Sequence, residues 1–120
     1  MKKRVFVSVP MSGKDDAIIE RNIQVTIARY LKLTKQSFKN VEFYDNFHAC
    51  QKFTWDHKTY KVPGLSYLGF AISNLGDCDE AIFGQGWRSA RGCRIEERVC
   101  KEYGIPTRKF GRIYKIKKED

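Results

Sequence analysis

A chain of 120 residues has the length for one domain built on a single core. Hydrophobic residues make up 42% and charged residues 31%, the balance of a soluble globular protein, and the apolar runs are far too short for a membrane span. The formal net charge of +9 raises nucleic acid as a partner, but the charge is concentrated at the two ends. Lys2, Lys3 and Arg4 begin the chain; Arg108, Lys109, Arg112, Lys115, Lys117 and Lys118 crowd its close. A solvated basic tail explains that distribution better than a binding groove, which needs a basic stripe with interleaved aromatics.

No signal-peptide core follows Met1-Lys2-Lys3-Arg4, so a cytoplasmic location is expected. The four cysteines, Cys50, Cys78, Cys93 and Cys100, form no CxxC pair and no zinc spacing. They read as reduced, mostly buried thiols, and no metal site is expected. A reactive thiol at Cys93, close to a helix N-terminus, is the alternative.

Residues 4–9 are β-branched and apolar up to Pro10, the pattern of a buried strand. Met11-Ser12-Gly13-Lys14 makes a turn, and Asp15 and Asp16 are placed to cap a helix. Ile19, Ile23, Ile27, Tyr30 and Leu31 recur at helical spacing, which predicts that helix over 16–33. A second strand, 41–44, leads into a loop of about 20 residues rich in aromatics, a length that suits a functional lid. A helix over 65–75, a strand over 80–83 and a helix over about 90–103 come next, the last ending at Gly104 in a left-handed cap. A fourth strand begins at 105. The order predicts an α/β fold, a small Rossmann-like or flavodoxin-like three-layer sandwich with a parallel sheet of about four to five strands. The domain spans 1–110, with a basic tail over 111–120.

In such sheets ligands bind beyond the carboxyl ends of the strands. Residues 10–14 and 84–96 fall there and are expected to face one pocket. Gly84-Gln85-Gly86-Trp87-Arg88-Ser89-Ala90-Arg91-Gly92 sets glycines, a hydroxyl and arginines where a strand hands over to a helix, an arrangement that attracts an anion. The dinucleotide fingerprint GxGxxG and the Walker A lysine motif are both absent, so no cofactor is expected. Ser12 and Ser89 read as turn and cap hydroxyls, able to touch a phosphate or sugar but lacking a nucleophile elbow. Glu97 and Lys101 read as a surface pair. Glu96, by contrast, lies on the stripe Cys93–Glu96–Cys100–Tyr103, which points it toward the core or a pocket. Asp79 is either a strand-opening cap or a ligand contact, and His48 and His57 read as surface histidines.

Val7-Ser8-Val9-Pro10-Met11-Ser12-Gly13, Tyr67-Leu68-Gly69, Cys78-Asp79, Gly86-Trp87-Arg88-Ser89-Ala90-Arg91-Gly92-Cys93-Arg94-Ile95-Glu96 and Tyr103-Gly104-Ile105 occur in that order. Together they resemble the DUF4406 group of small bacterial and phage proteins. That group is similar to nucleoside 2-deoxyribosyltransferases and deoxynucleoside-monophosphate N-glycosidases. The resemblance implies a homodimer or larger assembly and a nucleoside or nucleotide substrate. It makes Glu96 the nucleophile that attacks the anomeric carbon, and residues 89–92, with Ser89, Arg91 and Gly92, the cradle of the 5′ end. Pro10, Met11, Ser12, Gly13, Asp45, Asp79, Gly86 and Trp87 complete the expected substrate site. Two family acids are missing here: Ala71 stands eight residues before Asp79, and Ala90 six before Glu96. Asp45 or Tyr44 is then the candidate substitute acid. The alternative function is a non-catalytic binder of a nucleotide or nucleotide-derived signal.

Overall fold

The computed structural model describes residues 2–52 and 57–111. Beyond Gly111 the expected basic tail lies outside the described residues, as do Phe53 and Trp55 of the long loop. Four strands, β1 (Lys3–Ser8), β2 (Val41–Asp45), β3 (Glu80–Phe83) and β4 (Thr107–Lys109), form one sheet in the order β2-β1-β3-β4. Every neighbouring pair is parallel. Four helices accompany them: α1 (Asp16–Thr34), α2 (Asn46–Lys52), α3 (Pro63–Leu75) and α4 (Arg91–Tyr103). The arrangement is an α/β fold compatible with a small Rossmann-like or flavodoxin-like architecture.

Alternation along β1 sorts its side chains between two cores. Val5, Val7 and Val9 meet the α1 stripe of Ile19, Ile23, Ile27 and Tyr30, joined by Val41 and Ile82. Phe6 turns to the other layer, where Ala81 and Phe83 pack with Ala71 and Leu75 of α3 and Cys93 and Cys100 of α4. Each large apolar side chain buried this way contributes about 1.5–3 kcal/mol. At the amino ends of the strands, buried Glu80 accepts from Tyr30 Oη at 2.8 Å, Lys3 Nζ at 2.7 Å and Arg108 Nε at 2.9 Å. One carboxylate thus ties β1, β3, β4 and α1 together.

Several expectations need correction. The long loop contains α2, which starts directly after β2. Asp45 caps it, its Oδ1 accepting the His48 N–H at 2.7 Å. Asp15 precedes α1 but makes no side-chain cap; its carbonyl takes the Ile18 and Ile19 N–H groups, and its exposed carboxylate stays in water. Gly104 does close α4 in a left-handed conformation, φ 74, donating to the Cys100 carbonyl. Glu97 pairs with Lys109 Nζ at 3.0 Å rather than with Lys101, because β4 runs alongside α4. Tyr103 leaves the α4 stripe at 81% exposure, since the last turn passes beyond the core. His57 is 6% exposed, stacked on Tyr67 and bonded through Nδ1 to Ser66 Oγ, so it is not a surface residue.

Candidate functional site

The carboxyl ends of β1, β2 and β3 bring Ser8, Asp45 and Phe83 to one end of the sheet, Asp45 level with Val7 and Ser8 level with Phe83. Two glycines let the loops after β1 and β3 close over that end. A Cβ on Gly84 would sit 2.4 Å from Thr26 Oγ1 and 2.9 Å from Val9 Cγ1, so only glycine lets β3 leave the sheet against α1. Gly86, at φ 87, lies where a Cβ would come 3.4 Å from Pro10 Cγ. The expected meeting of residues 10–14 with residues 84–96 therefore occurs.

Glu96 lies on the buried stripe of α4 and is 7% exposed. Ser8 Oγ donates to its Oε1 at 2.7 Å. Burial raises the carboxyl from its ordinary 4.5 to about 7, with the Ser8 hydrogen bond acting in the opposite direction. A crevice lined by Ser8, Met11, Asp45, Asn46, Phe47 and Glu96 opens beside it. It encloses about 10 Å³, room for one water molecule. Met11 and Phe47 are its half-buried apolar walls, beside the buried Phe6, Val7, Val9 and Ile23.

Asp45 joins the crevice to a charged chain. Its Oδ2 lies 2.8 Å from His48 Nδ1, and His48 Nε2 lies 2.5 Å from Glu20 Oε1 on α1. The hydrogen bond to Asp45, with help from Glu20, raises the His48 pKa against the opposing effect of burial. Glu20 is held low by Gln24 first and by His48 second. Asn46, 6% exposed, donates weakly to the Tyr67 carbonyl at 3.4 Å, while its Oδ1 has no hydrogen-bond partner among the described residues.

Met11, Asp45 and Glu96 thus line one crevice. The other expected contacts fare differently. Pro10 is buried under Gly86, while Ser12 and Gly13 form an exposed turn with Gly13 at φ 75. Trp87 packs its ring on Phe83 at 5.5 Å, with Lys109 and Arg88 over it, and serves the core. Ser89 Oγ donates to the Gly86 carbonyl at 2.9 Å and closes its own turn. Arg91 and Gly92 are exposed in the first turn of α4, outside the crevice lining. Asp79 is at the wrong pole. It opens β3, accepts the Arg4 N–H at 2.8 Å, and lies a strand's length, roughly 13 Å, from the carboxyl ends.

Ala71 is buried in the α3 layer against Phe6, so no acid enters from that helix position. Tyr44 stacks on Phe6 at 5.9 Å, and burial pushes its phenol up to about 12. It does not line the crevice. Sequence reasoning missed Ser8, Asn46, Phe47, His48 and Glu20. Two signals for them were present: a hydroxyl inside an otherwise apolar strand, and the spacing of Asp45 and His48. Among the described residues, no group of three or more His, Cys, Asp and Glu side chains is arranged to hold a metal ion. No described helix is long and apolar enough to cross a membrane.

Compared with protein-family models, characterised proteins and solved structures, the chain matches none. The fold and the crevice define its class: a parallel α/β protein with a buried carboxylic acid at the carboxyl ends of its strands.

Proposed function

We propose that this protein cleaves or transfers at the N-glycosidic bond of a nucleoside or nucleotide, with Glu96 as nucleophile. The observation that carries the reading is Glu96 itself: a buried carboxyl held by Ser8 at the crevice where a parallel sheet binds ligands. The family resemblance around residues 86–96 supports it. Ser8 occupies Oε1 and leaves Oε2 to attack the anomeric carbon. The base departs, a glycosyl-enzyme forms, and water or a second base resolves it. With the carboxyl raised to about 7 by burial, the reactive carboxylate is accessible near neutral pH.

The exposed first turn of α4, with Arg91, Gly92 and nearby Arg88, suits the phosphate end of a nucleotide, because free N–H groups and the helix dipole favour an anion there. Met11 and Phe47 must part to admit a sugar. A cytoplasmic location and a homodimer belong to the same proposal. Tyr60, Val62 and Leu65, exposed near the start of α3, are apolar side chains that a dimer contact would cover, and light scattering measures the assembly.

The test is incubation with deoxynucleosides and their monophosphates, followed by chromatography for free base. Release by the wild type and its loss in Glu96→Gln are expected. The second reading, a nucleotide binder, is favoured by the burial that raises Glu96, because a protonated carboxyl donates a hydrogen bond rather than attacks. Thermal stabilisation by a nucleotide with no base released would establish the binder and remove the enzyme.

A further inference from the structure

A glycosidic bond to a nucleobase breaks slowly unless the departing nitrogen receives a proton. Glu96 must be ionised to attack, and the helix position that would hold the family acid is Ala71, so the donor has to come from elsewhere. The crevice has one other carboxyl in its lining, Asp45. Its placement is unusual for a surface acid: only 11% of its side chain is exposed, and both oxygens are held by His48, one by the backbone N–H and one by Nδ1. The far nitrogen of His48 meets Glu20, whose side chain is 42% exposed and faces solvent from α1. The Phe47 ring stands edge-on to the imidazole at 5.2 Å and covers one side of it.

We propose that Asp45 is the acid that protonates the leaving base, and that His48, held between Asp45 and Glu20, relays the proton to it. The proposal rests on the N-glycosidic reading of Glu96. The three groups lie in line from crevice to water, with no gap longer than 2.8 Å. When Glu96 Oε2 bonds to the anomeric carbon, the carbon–nitrogen bond breaks and its electron pair stays on the base. That nitrogen takes its proton at Asp45 as the Nδ1 proton of the His48 imidazolium moves onto the same carboxyl, leaving a neutral ring whose Nε2–H stays on Glu20. In the second half, water attacks the glycosyl-enzyme and its proton returns through Asp45 to Nδ1, restoring the imidazolium and the Glu96 carboxylate. Asp45 is the catalytic residue in this scheme; His48 and Glu20 act through it.

A relay differs from a structural clamp in what it does to different leaving groups. The four common deoxynucleoside 5′-monophosphates need a proton to lose their base; 4-nitrophenyl 2-deoxyribofuranoside 5-phosphate loses nitrophenolate without one. In the first turnover, before water attacks the shared glycosyl-enzyme, His48→Gln is expected to slow base release about 100-fold and nitrophenolate release only a few-fold. Glu20→Gln, at an exposed side chain, is expected to show the same bias on a smaller scale, and it carries the test if His48→Gln does not fold. Equal losses on both substrates, or no loss on either, would overturn the relay while leaving the role of Glu96 intact. Failure of the wild type to release either leaving group would instead overturn the glycosidic reading, and the relay with it.

Discussion

Replacing Glu96 with glutamine exchanges a buried ionisable group for a neutral one of the same shape, with an amide oxygen that still accepts from Ser8. The carboxyl titrates at about 7 in the folded chain against an ordinary 4.5. Folding therefore tightens proton binding at this residue. Its contribution to stability is full at pH values below about 4 and is lost as pH rises through 7. A difference of two to three pH units corresponds to about 3 kcal/mol. Glutamine does not titrate, so Glu96→Gln should match the wild type near pH 4 and exceed it by up to about 3 kcal/mol at pH 8. Urea unfolding at both pH values, with equal m-values required for the comparison, measures this directly. A variant less stable than the wild type at pH 8, or a difference that does not change with pH, would refute the argument. Loss of base release together with a gain in stability is the trade expected when a functional group is held against its solvation preference.

Ser8→Ala removes the one hydrogen bond that favours the ionised form of Glu96. A bond to a charged group contributes about 1.5–3 kcal/mol, so the carboxyl should titrate about one to two units higher, seen by carbon NMR of labelled glutamate. Gly84→Ala forces a methyl against Thr26 Oγ1 and Val9 Cγ1, and should cost about 1–3 kcal/mol in urea unfolding; an unchanged midpoint would contradict the packing. Cys93 is 4% exposed and burial pushes its thiol up to about 11, so it should resist a thiol reagent in the native protein and react only on unfolding. Rapid native labelling of Cys93, identified by mass spectrometry, would restore the reactive-thiol alternative.

What could be read from residues alone tracked the strength of local periodicity. Val5, Val7 and Val9 alternate, and Ile19, Ile23 and Ile27 recur every fourth residue, so β1 and α1 announced themselves and the parallel order came with them. Glu96 was legible for the same reason, as the polar member of a buried helical stripe. The seven residues of α2 are too few to establish a period, and their start is marked only by the Asp45 cap, so a helix was hidden inside an apparent loop. Asp79 misled because a motif fixes order along the chain but not which end of a strand a residue occupies. The alignment of Asp45, His48 and Glu20 depends on α1 passing beside α2, a tertiary fact with no local signature.

The strand order carries a consequence for how the molecule assembles. β1 is made before β2, β3 and β4, yet it lies inside the sheet, between β2 and β3. Its second edge stays unpaired until Glu80–Phe83 has been synthesised, and β3 in turn waits for Thr107–Lys109. Pairings so distant along the chain are slow to close, and the apolar edge of Val5-Phe6-Val7 is meanwhile open to other chains. Interrupting synthesis before β3 would therefore leave an aggregation-prone fragment rather than a smaller folded domain.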